Sequence, residues 1–166
     1  MEQNSYRFTY IGGYSNVYAF TTSQLVDYEV RFAPSDYLFE HVSELGIATF
    51  EMIVVMTGTA EHTKTPADST IAPTIAAIFT HFFDTHEKVI VYVCDTSDNR
   101  QRARACKFTA WFYRGLLNSN LPLAKVDRQM IADDGEQILL SMFIHLQHPN
   151  RLSAIDAFMS MGSDEK

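Results

Sequence analysis

The run Val89-Ile90-Val91-Tyr92-Val93-Cys94 constrains this chain more than any other stretch, because it has no polar face apart from the tip of Tyr92. A strand of that kind is central and covered on both sides. Helical periodicity flanks it closely, so the strand must sit between two long helices. Before it, Ile71, Ile75, Ile78 and Phe82 repeat on one face, Ser69 reads as the N-cap, Pro73 falls in the first turn, and the helix ends near Thr85. After it, a second helix runs from Asn99 to about Leu117, and residues 118–122 terminate it.

The first third alternates with period two: Tyr6, Phe8 and Tyr10, then Tyr18 and Phe20, then Val26, Tyr28, Val30 and Phe32. Gly12-Gly13 and Thr22-Ser23-Gln24 supply turns, and Pro34-Ser35-Asp36 closes the third strand. A short helical or irregular piece through Tyr37, Leu38 and Phe39 leads to a fourth apolar run over 47–56, completing an antiparallel meander. Residues 58–68 are polar and aperiodic, a long loop between strand and helix. Strands over 124–131 and 137–146 are joined by Asp133-Asp134-Gly135, and a terminal helix carries Leu152, Ile155, Phe158 and Met159. These elements predict one domain over 1–166, of class α+β: a mixed, mostly antiparallel sheet of about seven strands packed against two long helices.

With 166 residues, 46% of them hydrophobic, the chain can bury its core without staples. Cys94 and Cys106 lack CxxC spacing and read as reduced thiols of a cytoplasmic protein. No apolar leader follows the polar start, and uninterrupted apolar runs such as 52–56 are far below spanning length, so neither secretion nor membrane insertion is expected. Thirteen basic against twenty acidic residues give −7, which works against general nucleic-acid binding. Signatures of serine hydrolases, P-loop and dinucleotide-binding proteins and zinc peptidases are absent. His145 and His148, on a strand, fall on opposite faces and form no metal pair, while His41, His62, His81 and His86 read as surface residues.

Charge, turn chemistry and a helix start converge only at Cys94-Asp95-Thr96-Ser97-Asp98-Asn99-Arg100. A helix beginning just after a buried strand aims unpaired N–H groups and its positive dipole end above the sheet edge. On that helix Arg100, Arg104, Lys107, Trp111 and Arg114 share a stripe about 80° wide, opposite Ala105, Thr109, Phe112, Tyr113 and Leu116. The stripe reads in two ways: an ordinary solvated face with Trp111 covered by the polar loop or the terminal helix, or a recognition surface. A recognition surface would take a small anionic ligand, an acidic protein partner, or a second copy of the chain. Asp95 and Asp98 can be read as metal ligands or bases. Equally, Ser97 or Asp98 can cap the helix and Asp95 can pair with Arg100 or Arg102. Metal binding would need further oxygens, from Asp68 or Glu61.

The run Val91-Tyr92-Val93-Cys94-Asp95, followed by Ser97-Asp98, Arg100-Gln101, Arg104, Phe108 and Trp111-Phe112, resembles a family of proteins of unknown function from Bacteroidota. The likeness extends to the opening Tyr and Phe strands and the Thr74-Ile75 helix, and implies no catalytic residue. The order of elements is similar to that of the GCN5-related N-acetyltransferase fold, whose members hold the coenzyme A pyrophosphate on a loop of the form Arg/Gln-x-x-Gly-x-Gly/Ala. The corresponding segment, Lys64-Thr65-Pro66-Ala67-Asp68-Ser69-Thr70, lacks those glycines, while Asn99 and Tyr113 are compatible with the pattern. The expectation is a cytoplasmic binding or interaction module of the kind found in toxin–antitoxin or defence operons, with a site at Asp95, Ser97, Asp98, Asn99, Arg100, Arg104, Lys107 and Trp111. The alternative is a divergent acyltransferase-like protein that binds a phosphate-bearing cofactor such as acyl-CoA.

Overall fold

The computed structural model describes residues 4–58, 68–94, 107, 110, 115 and 120–161. Alternating side chains make seven strands: β1 (Phe8–Gly12), β2 (Val17–Thr21), β3 (Asp27–Pro34), β4 (Ala48–Met56), β5 (Lys88–Val93), β6 (Leu123–Ile131) and β7 (Gln137–His145). They form one sheet in the order β1-β2-β3-β4-β5-β7-β6. The β4–β5 pair is parallel and the other five pairs are antiparallel. The expected α+β class, sheet size and mostly antiparallel character are therefore met. Gly135, at φ +84°, turns the β6–β7 hairpin where Asp133-Asp134-Gly135 called for a tight turn, and its N–H donates to the Ala132 carbonyl at 2.8 Å.

β5 is covered on both faces, as its composition requires. Val89, Ile90 and Val91 are each 0% exposed, and alternation sends Ile90 to one core and its two neighbours to the other. The first core lies under α1 (Ile71–Phe82): Ile75, Ile78, Phe79 and Phe82 meet Tyr18, Phe20, Val30, Phe32, Met52 and Phe143. Phe32 stacks on Phe82 with ring centroids 4.0 Å apart, a pair worth about 0.5–1.5 kcal/mol beyond its buried area. The second core holds Val89, Val91, Leu140, Met142 and Ile144 beneath a 3₁₀ segment (Asp36–Leu45) and a terminal helix, α2 (Arg151–Ser160).

Several local expectations are corrected. The N-terminal flank of α1 is Thr70, not Ser69, and its side chain makes no capping bond. The Asp68 carboxylate accepts the Thr70 N–H at 2.8 Å instead. α1 stops at Phe82 rather than near Thr85. The irregular piece after Pro34 extends through ten residues, with non-helical torsions at Phe39 and Val42. On α2 the buried side is Ala154, Ala157 and Phe158, whereas Leu152 and Met159 are 74% and 48% exposed. The two alanines let the helix lie close to the sheet, with Phe158 buried and Ile155 partly buried against the second core.

His148 is not a strand residue, because β7 ends at His145, so strand alternation does not govern the two histidines. His148 is buried, and both ring nitrogens are engaged: Nδ1 accepts the Asn150 N–H at 3.0 Å, and Nε2 pairs with the Glu87 carbonyl at 3.1 Å. Asn150 in turn donates from Nδ2 to the Leu45 carbonyl at 3.1 Å, tying the start of α2 to the end of the 3₁₀ segment. Burial, opposed by the Glu87 carbonyl and aided by His86, holds His148 below the ordinary histidine value, and burial with His86 does the same to His145.

Residues 107, 110 and 115 are helical, in the region assigned to the second long helix; the remainder of 99–117 lies outside the described residues. Gly115 is buried, and a Cβ there would come within 2.6 Å of the Ala76 Cβ on α1. Only hydrogen fits between the two backbones.

Two expectations follow from this packing. Gly115→Val should lower unfolding stability by about 1–3 kcal/mol in urea titrations, with part of the loss recovered in the Gly115→Val, Ala76→Gly double variant; an unchanged midpoint would contradict the contact. Because the native state favours neutral His148 and His145, the unfolded chain binds more protons below the ordinary value of 6.5. Stability should therefore fall as pH drops from about 7.5 through 6.5 to about 5.5. His148→Gln should flatten that slope in urea midpoints measured across the same range.

Candidate functional site

The parallel pair is the point where the sheet changes its connectivity. β1–β4 form a meander and β5, β7 and β6 form a second antiparallel set, with a single parallel ladder joining them. That ladder is only four pairs long, from Ala48 opposite Lys88 to Glu51 opposite Val91. Beyond it β4 continues to Met56 paired with β3, and β5 continues to Val93 paired with β7. Among the described residues, then, the carboxyl-terminal ends of the two parallel strands share no ladder. In open sheets, ligands bind beyond the carboxyl ends of parallel strands, so the end of this ladder is the candidate opening.

The side chains at this opening are mostly apolar. Met52 and Cys94 are buried, Val54, Val55, Tyr92 and Val93 are half-buried, and Ile53 and Met56 are 36% and 43% exposed. Glu51 is the exception. It is half-buried at the last rung of the ladder and makes no side-chain hydrogen bond or ion pair among the described residues. Burial pushes its carboxyl above the ordinary glutamate value. An unpaired carboxylate in such a position costs stability, and costs of this kind gather at functional sites. Glu51 is not among the site residues expected from sequence. The available signal was one carboxylate within an apolar strand run.

At the amino end of α1 the side chains of Asp68, Tyr6 and Thr74 hold one another and the Thr70 backbone. The Asp68 carboxylate accepts the Thr70 N–H through Oδ1 and the Tyr6 hydroxyl through Oδ2 at 2.7 Å. The Tyr6 N–H donates to the Thr74 hydroxyl at 2.8 Å, and that hydroxyl donates to the Thr70 carbonyl at 2.7 Å. Tyr6 and Tyr28 both stack on Phe20, with centroids 6.1 and 5.2 Å from it. Burial, and then the Asp68 charge, push the Tyr28 hydroxyl above its ordinary value. Asp68, read from sequence as a spare metal ligand, is thus committed to the helix start. Among the described residues no group of three or more His, Cys, Asp or Glu side chains could hold a metal ion.

Of the sequence-derived site, Lys107 is helical and exposed. Asp95, Ser97, Asp98, Asn99, Arg100, Arg104 and Trp111 lie outside the described residues, as do Arg102, Cys106, Glu61 and His62. Asp95 follows directly on Cys94, whose N–H donates to the Leu139 carbonyl at 2.9 Å and holds the carboxyl end of β5 to β7. No helix among the described residues is long and apolar enough to cross a membrane.

Fold and opening together define an α+β protein with one short parallel joint in an otherwise antiparallel sheet. The chain belongs to the Family of unknown function (DUF6169), whose model matches residues 67–160, more than half of the sequence. That span covers α1, β5, β6, β7 and all of α2, and leaves β1–β4 outside it. No curated protein and no solved structure matches the chain.

The state of Glu51 has a direct readout. A carboxyl held above its ordinary 4.5 destabilises the fold once it is ionised and ceases to do so when protonated. Glu51→Gln should therefore melt higher than the parent at about pH 7.5, with the difference shrinking toward about pH 4. Equal melting temperatures at the higher pH would show that the side chain is solvated.

Proposed function

We propose that this protein is a cytoplasmic ligand-binding module that takes a small anion at the opening between the carboxyl ends of β4 and β5. One observation carries the reading: the parallel ladder stops at Glu51 and Val91 while both strands run on. In open sheets containing parallel strands, ligands collect beyond the carboxyl ends at such a switch in connectivity. The chain leaves β5 into Asp95, Ser97, Asp98 and Asn99 and then Arg100, Arg104, Lys107 and Trp111. Helix-start N–H groups and guanidinium groups suit an anion, and an indole suits a flat group attached to it.

A second reading, acyl transfer from acyl-CoA, has the order of elements in its favour. A strand, a crossover helix and a parallel strand, followed by a helical region and a closing pair of strands, resembles the GCN5-related N-acetyltransferase order. The residues at the start of α1 do not fit the pyrophosphate of that cofactor. The loop lacks glycines, Pro73 has no N–H to give, and the Thr70 N–H is taken by Asp68. The binding module is the better supported reading.

Thermal-shift titrations with inorganic phosphate, mononucleotides and acetyl-CoA separate the two. An anion bound only by the folded chain raises the melting temperature, and at about one hundred times Kd contributes about 2.7 kcal/mol. Arg100→Ala with Arg104→Ala should weaken the responding anion at least about tenfold, the loss of one or more charge-assisted bonds. No shift with any anion contradicts the proposal, and an acetyl-CoA shift that survives both substitutions favours acyl transfer.

A further inference from the structure

The sheet has two edges among the described residues, and they differ. β1 is five residues long and its register with β2 slips between Tyr10 and Gly12, so it offers little regular backbone to another strand. β6 is nine residues long, keeps unbroken register with β7 from Leu123 to Ile131, contains no proline, and has no strand on its other side. At the two ends of that ladder the Ala132 N–H donates to the Glu136 carbonyl and the Leu146 N–H to the Pro122 carbonyl, both at 2.8 Å. Antiparallel alternation therefore gives the even-numbered residues of β6 to β7, and turns the N–H and C=O groups of Lys125, Asp127, Gln129 and Ile131 outward. The side chains of these residues share one face of the sheet. Lys125, whose side chain is largely covered, pairs there with Asp127, whose side chain is 64% exposed, and the Ser141 hydroxyl donates to the same carboxylate oxygen at 2.6 Å. Charge on an edge strand ordinarily keeps other strands away. Here a positive and a negative side chain follow one another along the row, so the edge matches a strand on which the two run in the opposite order.

An antiparallel second copy of β6 is such a strand. A two-fold axis through Val126 sets Lys125 of each chain beside Asp127 of the other, brings the two Val126 side chains together at a non-hydrogen-bonded position, and sets Ile131, 73% exposed, across from Leu121 of the second copy. The neighbouring registers that also join outward groups are disfavoured: one slide puts Asp127 against Asp127, and the opposite slide puts Lys125 against Lys125. We propose that β6 is a dimerisation edge, through which two copies of this chain join their sheets antiparallel in the register centred on Val126. β7 and β5 lie between this edge and β4, so the dimer leaves the β4–β5 opening of each copy uncovered by the joint, and the assembly does not depend on what that opening binds.

Sedimentation velocity over a range of protein concentrations tests the proposal and should show monomer in equilibrium with dimer. Gln129→Pro removes an outward N–H without taking a bond from the β6–β7 ladder, so it should sediment as a monomer while keeping the far-ultraviolet circular dichroism of the parent. Asp127→Lys opposes like charges twice across the axis and should weaken the dimer about tenfold or more, and adding Lys125→Asp should recover most of that loss. Val126→Cys gives a readout that does not require the proline variant to fold. Its two thiols meet at the axis, so mild oxidation should link the chains, whereas Ala124→Cys, displaced from the axis, should not link them. A parent that stays monomeric up to about 1 mM overturns the proposal, as does a dimer that survives Gln129→Pro, or a Val126→Cys chain that links no more than the Ala124→Cys chain.

Discussion

The parallel pairing of β4 with β5 is the joint on which the rest depends. Two parallel neighbours cannot be joined by a tight turn, so the chain needs a crossover long enough to span the sheet. α1 is that crossover, and its apolar side becomes the lid of the first core. β5, set in the middle of the sheet, then has a second apolar face to cover, which the 3₁₀ segment and α2 do. Val89, Ile90 and Val91 therefore serve both cores at once, and a change at this strand is felt on both sides of the sheet.

The same joint supplies the opening. Hydrogen bonding between the parallel strands lasts four pairs and then yields to β3 on one side and β7 on the other. Two carboxylates near this end of the sheet have opposite fates. Asp68 is fully engaged by Thr70 and Tyr6 and holds the helix start in place. Glu51 is partly dehydrated without a side-chain partner among the described residues, a state that burdens the fold and leaves a group able to respond to a ligand.

Much of the fold was legible because single-residue periodicities carried it. The all-apolar 89–94 run required a doubly covered central strand, Ile71, Ile75, Ile78 and Phe82 required a helix lying on it, and Asp134-Gly135 fixed the last hairpin. Partner-dependent features were not legible. The start of α1 is set by a carboxylate whose second partner, Tyr6, lies 62 residues away, which no local cap rule contains. The buried side of α2 follows the space left by the sheet, so alanines face in while Leu152 faces out. Of the candidate site, the sequence carried an address, the carboxyl end of β5, where Cys94 leads into Asp95. Glu51 escaped because the length of the β4–β5 ladder is a property of the assembled sheet.

The most direct test of this account is the end of that ladder, read by cross-strand nuclear Overhauser effects in the isotopically labelled protein. Backbone contacts should connect Ala48 with Lys88 through to Glu51 with Val91 and be absent between Ile53 and Val93. A ladder continuing unbroken through Ile53 and Val93 would close the opening and contradict the placement of a ligand there.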